Sequence, residues 1–590
     1  MKRVKKIGTA KGAAPGRSWR QRWRAIRLPA VVCGLAVLVF ARSLFCGFVR
    51  DDLPQIVHNP QVQSWDYLPR LLGSHLWSQA GPENNVLFYR PIFSVWMLLM
   101  HTLGGLAPWF WHVSNILLHA VATYLVFRLC QRLTGSDMGA AAAAAIFAVH
   151  PIHVDAVTWV SASCEVLFTI CALAGMLALL GTDRNSGPRV WVSALWFGAG
   201  LFAKETGLVM VAILPILAWI RLKGEAEKGK RLWQAIYPYG AVSAVYLLVR
   251  WAVMHRAGVE NGEHTWAEVI FSAPSILLFY LKKLFVPWHL SGCYVNPLTA
   301  SPTGLFWLQL FGISMGLAAV GWCAYRYDAL AGLEGALIVI PMLPALAVTR
   351  IYPQGDITHD RYLYVPSIGL SLLVAMLVKR IWALEKSAKL AVTAGVVAVL
   401  VAFSAETIAQ QRYYQDDVAF YSRVIEISPS DGFARGMLGN VYLDEGRHDL
   451  ALEQLWKASQ VSPDNQKVTL FLARGLFATG KYEEAETVLN ELLQTPALSP
   501  GRRSAALLSL ANVEIALENL EHAQQLLEQV SQRDDRFPEL HWAYGVLYQQ
   551  QGLLPQALAE YEKEVEITGD ELAQRRSATL ARTIYAQSGK

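Results

Sequence analysis

The sequence predicts an all-α protein in two parts: a polytopic membrane helical bundle of about 11 spans with interfacial helices, then an α-solenoid. Three observations predict this class. Apolar runs long enough for membrane helices, which need about 20 residues at 1.5 Å each, recur between residues 28 and 410. Charge is unevenly divided along the 590 residues. A motif repeats after residue 430 with a period near 34, the range of helical-repeat arrays.

Hydrophobic residues make up 54% and charged residues 17%, against about 25% charged in an ordinary soluble domain. Residues 1–410 hold 35 basic and 20 acidic side chains, a net of +15, and are 13% charged. Residues 411–590 hold 17 and 26, a net of −9, and are 24% charged. This excludes a disordered chain, a collagen-like fibre and a small disulfide scaffold, and argues against one soluble enzyme. The sequence divides into a basic arm (1–27), a transmembrane domain (28–410), a helical junction (411–432) and a repeat domain with a capping helix (433–590).

Residues 1–27 carry ten Lys or Arg and no acid. Beside a span, such an arm belongs in the cytoplasm by the positive-inside rule; nucleic-acid binding is the weaker alternative and is not adopted. No small-residue cleavage site follows 28–48, so that span reads as a retained anchor. The next spans are 109–130, 138–151, 164–180 (returning near Arg184 and Arg189), the short pair 190–203 and 207–220 around Lys204, and 233–254 after the basic loop 221–231. The last are 303–325, 330–349, 363–384 and 390–408. The N-terminus is then cytoplasmic and the repeats lie outside. The run 91–104 is short for a span, and 272–290 carries Lys282 and Lys283 near its middle, costly in a bilayer core; both are expected to lie on the outer surface. Seven cysteines, all before residue 324 and none in C-x-x-C, indicate neither a metal site nor a disulfide framework.

Four units, 433–466, 467–500, 501–537 and 538–570, share a small residue or Gly in a first helix, a Gly or Asn turn, and an Ala in a second helix. In the first unit these are Gly439, Gly446 and Ala451. The pattern resembles the tetratricopeptide repeat, and 571–587 suits a polar capping helix.

Five polar groups fall at the outer rim of this topology. "FVRDD" places Asp51 and Asp52 after the first span; a carboxylate there takes a proton from a hydroxyl or serves as a cap or solvated loop acid. Tyr89-Arg90-Pro91 offers a guanidinium to a phosphate or to lipid headgroups. "HPIHVDAVTW" brings His150, His153 and Asp155, either metal ligands or, with no fourth ligand apparent, the wall of a polar cavity; Glu165 follows. Lys204-Glu205 forms a structural pair or a phosphate contact. Asp360-Arg361-Tyr362 precedes the tenth span, where Arg and Tyr are also common anchors. Together, carboxylates and several cations on one membrane face suit an anionic, lipid-borne substrate such as a polyprenyl-phosphate sugar. No strict G-x-G-x-x-G Rossmann fingerprint and no P-loop pattern is present.

The ordered motifs "FVRDD", "LFYRP", "HVSNILLHAV", "HPIHVDAVTWV", "AKET" and "DRYLYVPSIGL", followed by the repeats, resemble the tetratricopeptide-containing protein O-mannosyltransferases and their bacterial relatives, within the GT-C glycosyltransferase class, over roughly residues 28–570. The resemblance implies a GT-C-like membrane glycosyltransferase moving a hexose such as mannose from a polyprenyl phosphate to an acceptor hydroxyl, protein Ser/Thr foremost, on the non-cytoplasmic side with inversion. It implies a lipid-linked sugar as co-substrate; no separate cofactor and no metal ligands are expected. Carried onto this chain, it makes Asp51 the base, supported by Asp52, and Arg90, Lys204 and Arg361 the donor-phosphate contacts. Tyr89, His150, His153, Asp155, Glu165, Glu205, Asp360 and Tyr362 would line the cavity. Relatives carry an Arg with an acid after HP-x-H; here "VSASCEVL" keeps Glu165 without the Arg, so that contact is not supplied. The expected partners are the lipid-linked sugar, membrane lipids and an acceptor protein presented by the repeats, such that loss of 411–590 spares a small acceptor. The expected location is a bacterial inner membrane with periplasmic repeats, or the endoplasmic reticulum with lumenal repeats in a eukaryote. A non-enzymatic scaffold recruiting partners through its repeats and a lipid-linked-sugar flippase are the competing readings.

Overall fold

The computed structural model describes residues 19–80, 88–181, 188–222, 228–254, 264–350, 357–383, 385–496, 498–568 and 571–587. Expectations for 1–18 of the basic arm, Arg184 and 223–227 of the basic loop fall outside them. The described chain is all-α, with one isolated bridge between Tyr294 and Thr358.

Among the described residues, seven helices are long and apolar enough to cross a membrane: Arg27–Phe45, Pro108–Thr134, Val160–Leu180, Lys228–Met254, Gly304–Arg326, Ala329–Val348 and Lys386–Tyr414. The pair Asp137–Val149 and Pro151–Thr158, bent by 51° at His150, makes an eighth if taken as one span. The chain is thus an integral membrane protein. The other three of the eleven expected spans are shorter helices, Pro188–Ala203, Met210–Arg221 and Pro366–Trp382. At 1.5 Å per residue, 12 residues extend only about 18 Å.

The two leftover apolar runs are helices with different surroundings. Pro91–Gly104 buries Phe93, Trp96, Met97 and Leu98 in a cluster with Trp111 and Val160. The second begins earlier than expected, at Trp266, because Thr265 and Glu268 form a capping box, and it ends at Phe285. Its lysines therefore sit in the last turn rather than mid-helix. A cation there suits the helix dipole, and Lys283 Nζ donates to the carbonyls of Trp288 (2.9 Å) and His289 (2.7 Å).

After the last long helix, Asp417–Ile427 forms a junction helix, capped by the Asp416 side chain on Ala419 N–H. Tyr414, Phe420, Tyr421 and Val424 join the same apolar core as the membrane helices. A chain cut at 411 would therefore strip part of the bundle's own core, so the expectation that a small acceptor is spared requires a cut beyond the junction. Four helix pairs follow: Gly432–Asp444 with His448–Val461, Gln466–Ala478 with Tyr482–Leu493, Pro500–Ala516 with Leu520–Ser531, and Leu540–Gln550 with Leu554–Thr568; Glu571–Gln587 closes the array. Gly439 lets the first pair approach, because a Cβ there would strike Leu455, and Gly446 turns the chain at φ +72°.

Candidate active site at the junction end of the bundle

The loop leaving the first long helix carries Asp51 and Asp52, whose environments differ. Asp51 is about one-third exposed (34%), with Oδ1 4.0 Å from Arg50 Nε, and its carbonyl accepts the Gln55 N–H at 2.9 Å. Asp52 is fully buried. Its Oδ1 accepts from Ser161 N (2.7 Å) and Ser161 Oγ (2.5 Å), and its Oδ2 from Val49 N (3.1 Å). Burial pushes the Asp52 carboxyl up to about 7, although the bonds from Ser161 and Val49 favour the ionised form. Asp52 thus ties the loop to residues 160–163, while Asp51 faces outward.

The three expected phosphate-binding cations each meet a carboxylate. Arg90 grips Glu205 with two donors, Nε at 2.8 Å and Nη2 at 2.6 Å, and its Nη1 lies 3.5 Å from Cys164 Sγ. Lys204, buried in the break between Pro188–Ala203 and Met210–Arg221, pairs with Glu165 at the start of the helix Ser163–Leu180. Arg361 lies 3.6 Å from Asp155 Oδ2 through Nη1 and donates its backbone N–H to the same oxygen at 3.0 Å. Tyr362 joins two of these cations: Lys204 Nζ is 5.2 Å and the Arg361 guanidinium 5.1 Å from its ring centre.

Trp159 connects this group to the Asp51 loop. The guanidinium of Arg361 lies 4.6 Å from its ring centre and that of Arg50 5.3 Å. Such cation–π contacts are worth about 0.5–2 kcal/mol each, the more so when desolvated. Asp51, Arg361, Lys204 and Arg90 therefore share one end of the bundle. Arg50 and Trp159 were not among the sequence-selected site residues; their positions in "FVRDD" and "AVTW" were the available signal.

The remaining expected residues hold walls together. His150 and His153 are enclosed: His150 Nε2 bonds the Leu284 carbonyl at 3.1 Å and His153 Nε2 the Ser367 hydroxyl at 2.9 Å. Among the described residues no cluster of three or more His, Cys, Asp or Glu has metal-site geometry. Tyr89 donates its hydroxyl to the Leu72 carbonyl at 2.7 Å. Asp360 accepts from Tyr294 OH at 2.8 and 2.9 Å and from Ser291 N at 3.3 Å.

A narrow cleft of about 20 Å³ lies at Lys204, Glu165 and Tyr362, walled by Phe168, Pro341, Pro344, Ala345, Val348 and Val365. The Lys204–Glu165 pair and Tyr362 form a charged, aromatic end beside an apolar flank.

The tetratricopeptide repeat family matches residues 442–500 and 508–571, so the solenoid is a tetratricopeptide array. The chain is similar to Protein O-mannosyl-transferase TMTC3 of Homo sapiens, 24% identical over 91% of this chain and 64% of that protein. It is also similar to Protein O-mannosyl-transferase F38B6.6 of Caenorhabditis elegans, 24% identical over 76% of this chain and 64% of that one. Protein O-mannosyl-transferase Tmtc2 of Drosophila melanogaster is 32% identical over 33% of this chain and 22% of its own length. The chain thus spans under two thirds of the length of these relatives. Among solved structures, ArnT from Cupriavidus metallidurans bound to undecaprenyl phosphate is 14% identical over 80% of this chain and 81% of its own, with a TM-score of 0.37, an overlap too loose to carry a conclusion.

Proposed function

We propose that this chain is a membrane glycosyltransferase that moves a hexose, mannose foremost, from a polyprenyl-phosphate carrier to an acceptor hydroxyl, with protein Ser/Thr as the acceptor class. The observation that carries the reading is the meeting, at one end of the bundle, of a partly exposed carboxylate with three cations: Asp51 beside Arg50, whose guanidinium shares Trp159 with Arg361, and Arg361 beside the Tyr362 ring that Lys204 also faces. The similarity to proteins named O-mannosyl-transferases supports it.

Asp51 takes the proton of the acceptor hydroxyl as its oxygen bonds to the anomeric carbon. The bond from that carbon to the carrier phosphate breaks on the opposite face, and its electron pair leaves with the phosphate. One displacement inverts the anomeric centre, so no second carboxylate nucleophile is needed. Arg90, Lys204 and Arg361 stabilise the charge gathering on the departing phosphate. Each is already oriented by a carboxylate: Glu205, Glu165 and Asp155. A charge-balanced network costs less to bury than three bare cations, and the phosphate then enters by sharing donors rather than filling a vacant cluster.

The positive charge of the basic arm and of the loop 221–231 supports a cytoplasmic position for both; transfer then occurs on the other side, where the repeats present the acceptor protein. The test is transfer by purified full-length protein to a Ser/Thr peptide. Asp51→Asn is expected to lower turnover by about 10²-fold or more with folding intact. Unchanged partner capture together with sensitivity only to repeat-surface substitutions would favour the scaffold instead.

A further inference from the structure

The junction helix reaches back into the loop that carries Asp51. Asp417, in the first turn of Asp417–Ile427, accepts the Arg50 backbone N–H on Oδ1 at 2.6 Å. Arg50 itself is held at φ +54°, a left-handed conformation that is unfavourable for a side-chain-bearing residue and is kept only where its surroundings fix it. Those surroundings belong largely to the junction. The Arg50 guanidinium lies 5.8 Å from the ring centre of Phe420, and its Nη1 is 2.7 Å from Cys293 Sγ. Three residues before Arg50, Gly47 N–H donates to the Gln415 carbonyl at 2.9 Å. On the other side, Asp52 is bonded to Ser161. The turn bearing Asp51 is therefore clamped between the bundle, through Asp52, and the junction, through Asp417.

We infer that Asp417 is a positioning residue for the transfer: by fixing the Arg50 amide it sets where the Asp51 carboxylate points, which makes the junction helix part of the catalytic unit rather than a tether for the repeats. The inference rests on the proposed role of Asp51 as base. It does not follow from an acceptor-presenting role for the repeats, which would affect only protein acceptors. The bond is to a carbonyl-type oxygen, so an amide can replace it: Asp417→Asn keeps an acceptor for Arg50 N–H, and Asp417→Ala does not. Asp416, one residue earlier, caps the helix through Ala419 N–H, so Asp416→Ala controls for helix fraying.

The test uses the full chain in lipid nanodiscs with undecaprenyl-phosphate mannose as donor, and a Ser/Thr peptide and a small alcohol as alternative acceptors. Asp417→Ala is expected to lower kcat on the order of 10²-fold, the scale of a misplaced catalytic group, equally for both acceptors and with KM little changed. Asp417→Asn and Asp416→Ala are expected to retain kcat. Hydrogen exchange of a peptide covering residues 47–56 should accelerate in Asp417→Ala alone. Unchanged kcat in Asp417→Ala, an equal loss in Asp417→Asn, or a loss confined to the peptide acceptor would overturn the inference. Asp51→Asn runs in parallel. Retained transfer by that variant sinks the base assignment and the catalytic consequence with it, while the exchange rate still decides whether Asp417 holds the loop.

Discussion

Asp52 is a carboxylate without solvent, and that has a cost that varies with pH. Its folded carboxyl titrates near 7 instead of near 3.8 because burial disfavours the charged form. Between those values the folded protein keeps a proton that the unfolded chain has lost. Stability therefore falls as pH rises through the window and is lowest above it. Three pH units correspond to a span on the order of 4 kcal/mol. Asp52→Asn should flatten the dependence of Tm on pH between about 4 and 7, whatever constant cost the lost Val49 bond adds; an unaltered slope would assign the titration elsewhere. The Lys204–Glu165 pair behaves differently, since both partners are buried. Lys204→Met leaves Glu165 unpaired and should cost about 3–5 kcal/mol, most of which Lys204→Met/Glu165→Leu should restore. Denaturation of the two variants measures this, and the double variant should regain stability without regaining transfer.

At the scale of elements, the site depends on loops and breaks held by distant partners. The segment 290–294 lies under the junction helix: Arg423 Nε donates to the Leu290 carbonyl at 3.0 Å, and a Cβ on Gly292 would strike the Phe420 ring. Gly292→Ala should therefore cost about 1–3 kcal/mol by overpacking, and less in a Phe420→Ala background, where the ring is gone; additive losses in a thermal-unfolding cycle would show that the two do not meet. Helix existence was largely legible in the sequence because apolar runs and caps are local signals. The start at Trp266 was missed because its marker is the Thr265–Glu268 capping box rather than hydropathy, and that shift moved Lys282 and Lys283 from an expensive mid-helix place to a favourable last turn. The site was legible as residue types at one rim. Its pairing was not, since Arg90 meets Glu205 across 115 residues and Arg361 meets Asp155 across 206. Nor was the division of labour in "RDD": no sequence pattern tells which acid turns inward to Ser161 and which outward.

At the scale of the whole molecule, membrane bundle and solenoid share a core through Tyr414, Phe420, Tyr421 and Val424, so the repeats are fixed to the site end. The 34-residue period showed the array directly, whereas its docking joins junction residues outside the period to Ala434 and Leu438 of the first unit. Charge bias predicts that this end faces away from the cytoplasm. In a Cys323→Ser background, a cysteine replacing exposed His58 should react with an impermeant thiol reagent from outside, and one replacing exposed Lys386 only after the membrane is opened; the reverse pattern would invert the orientation. In the proposed reaction a carboxylate and its neighbouring cations transfer a lipid-linked sugar. Its most direct measurement is in vitro transfer from a panel of polyprenyl-phosphate hexoses to a Ser/Thr peptide, with wild type and Asp51→Asn compared. One hexose, mannose foremost, is expected to reach the peptide with an inverted anomeric centre in the wild type alone. No transfer from any donor, or equal transfer by both proteins, would contradict the proposal.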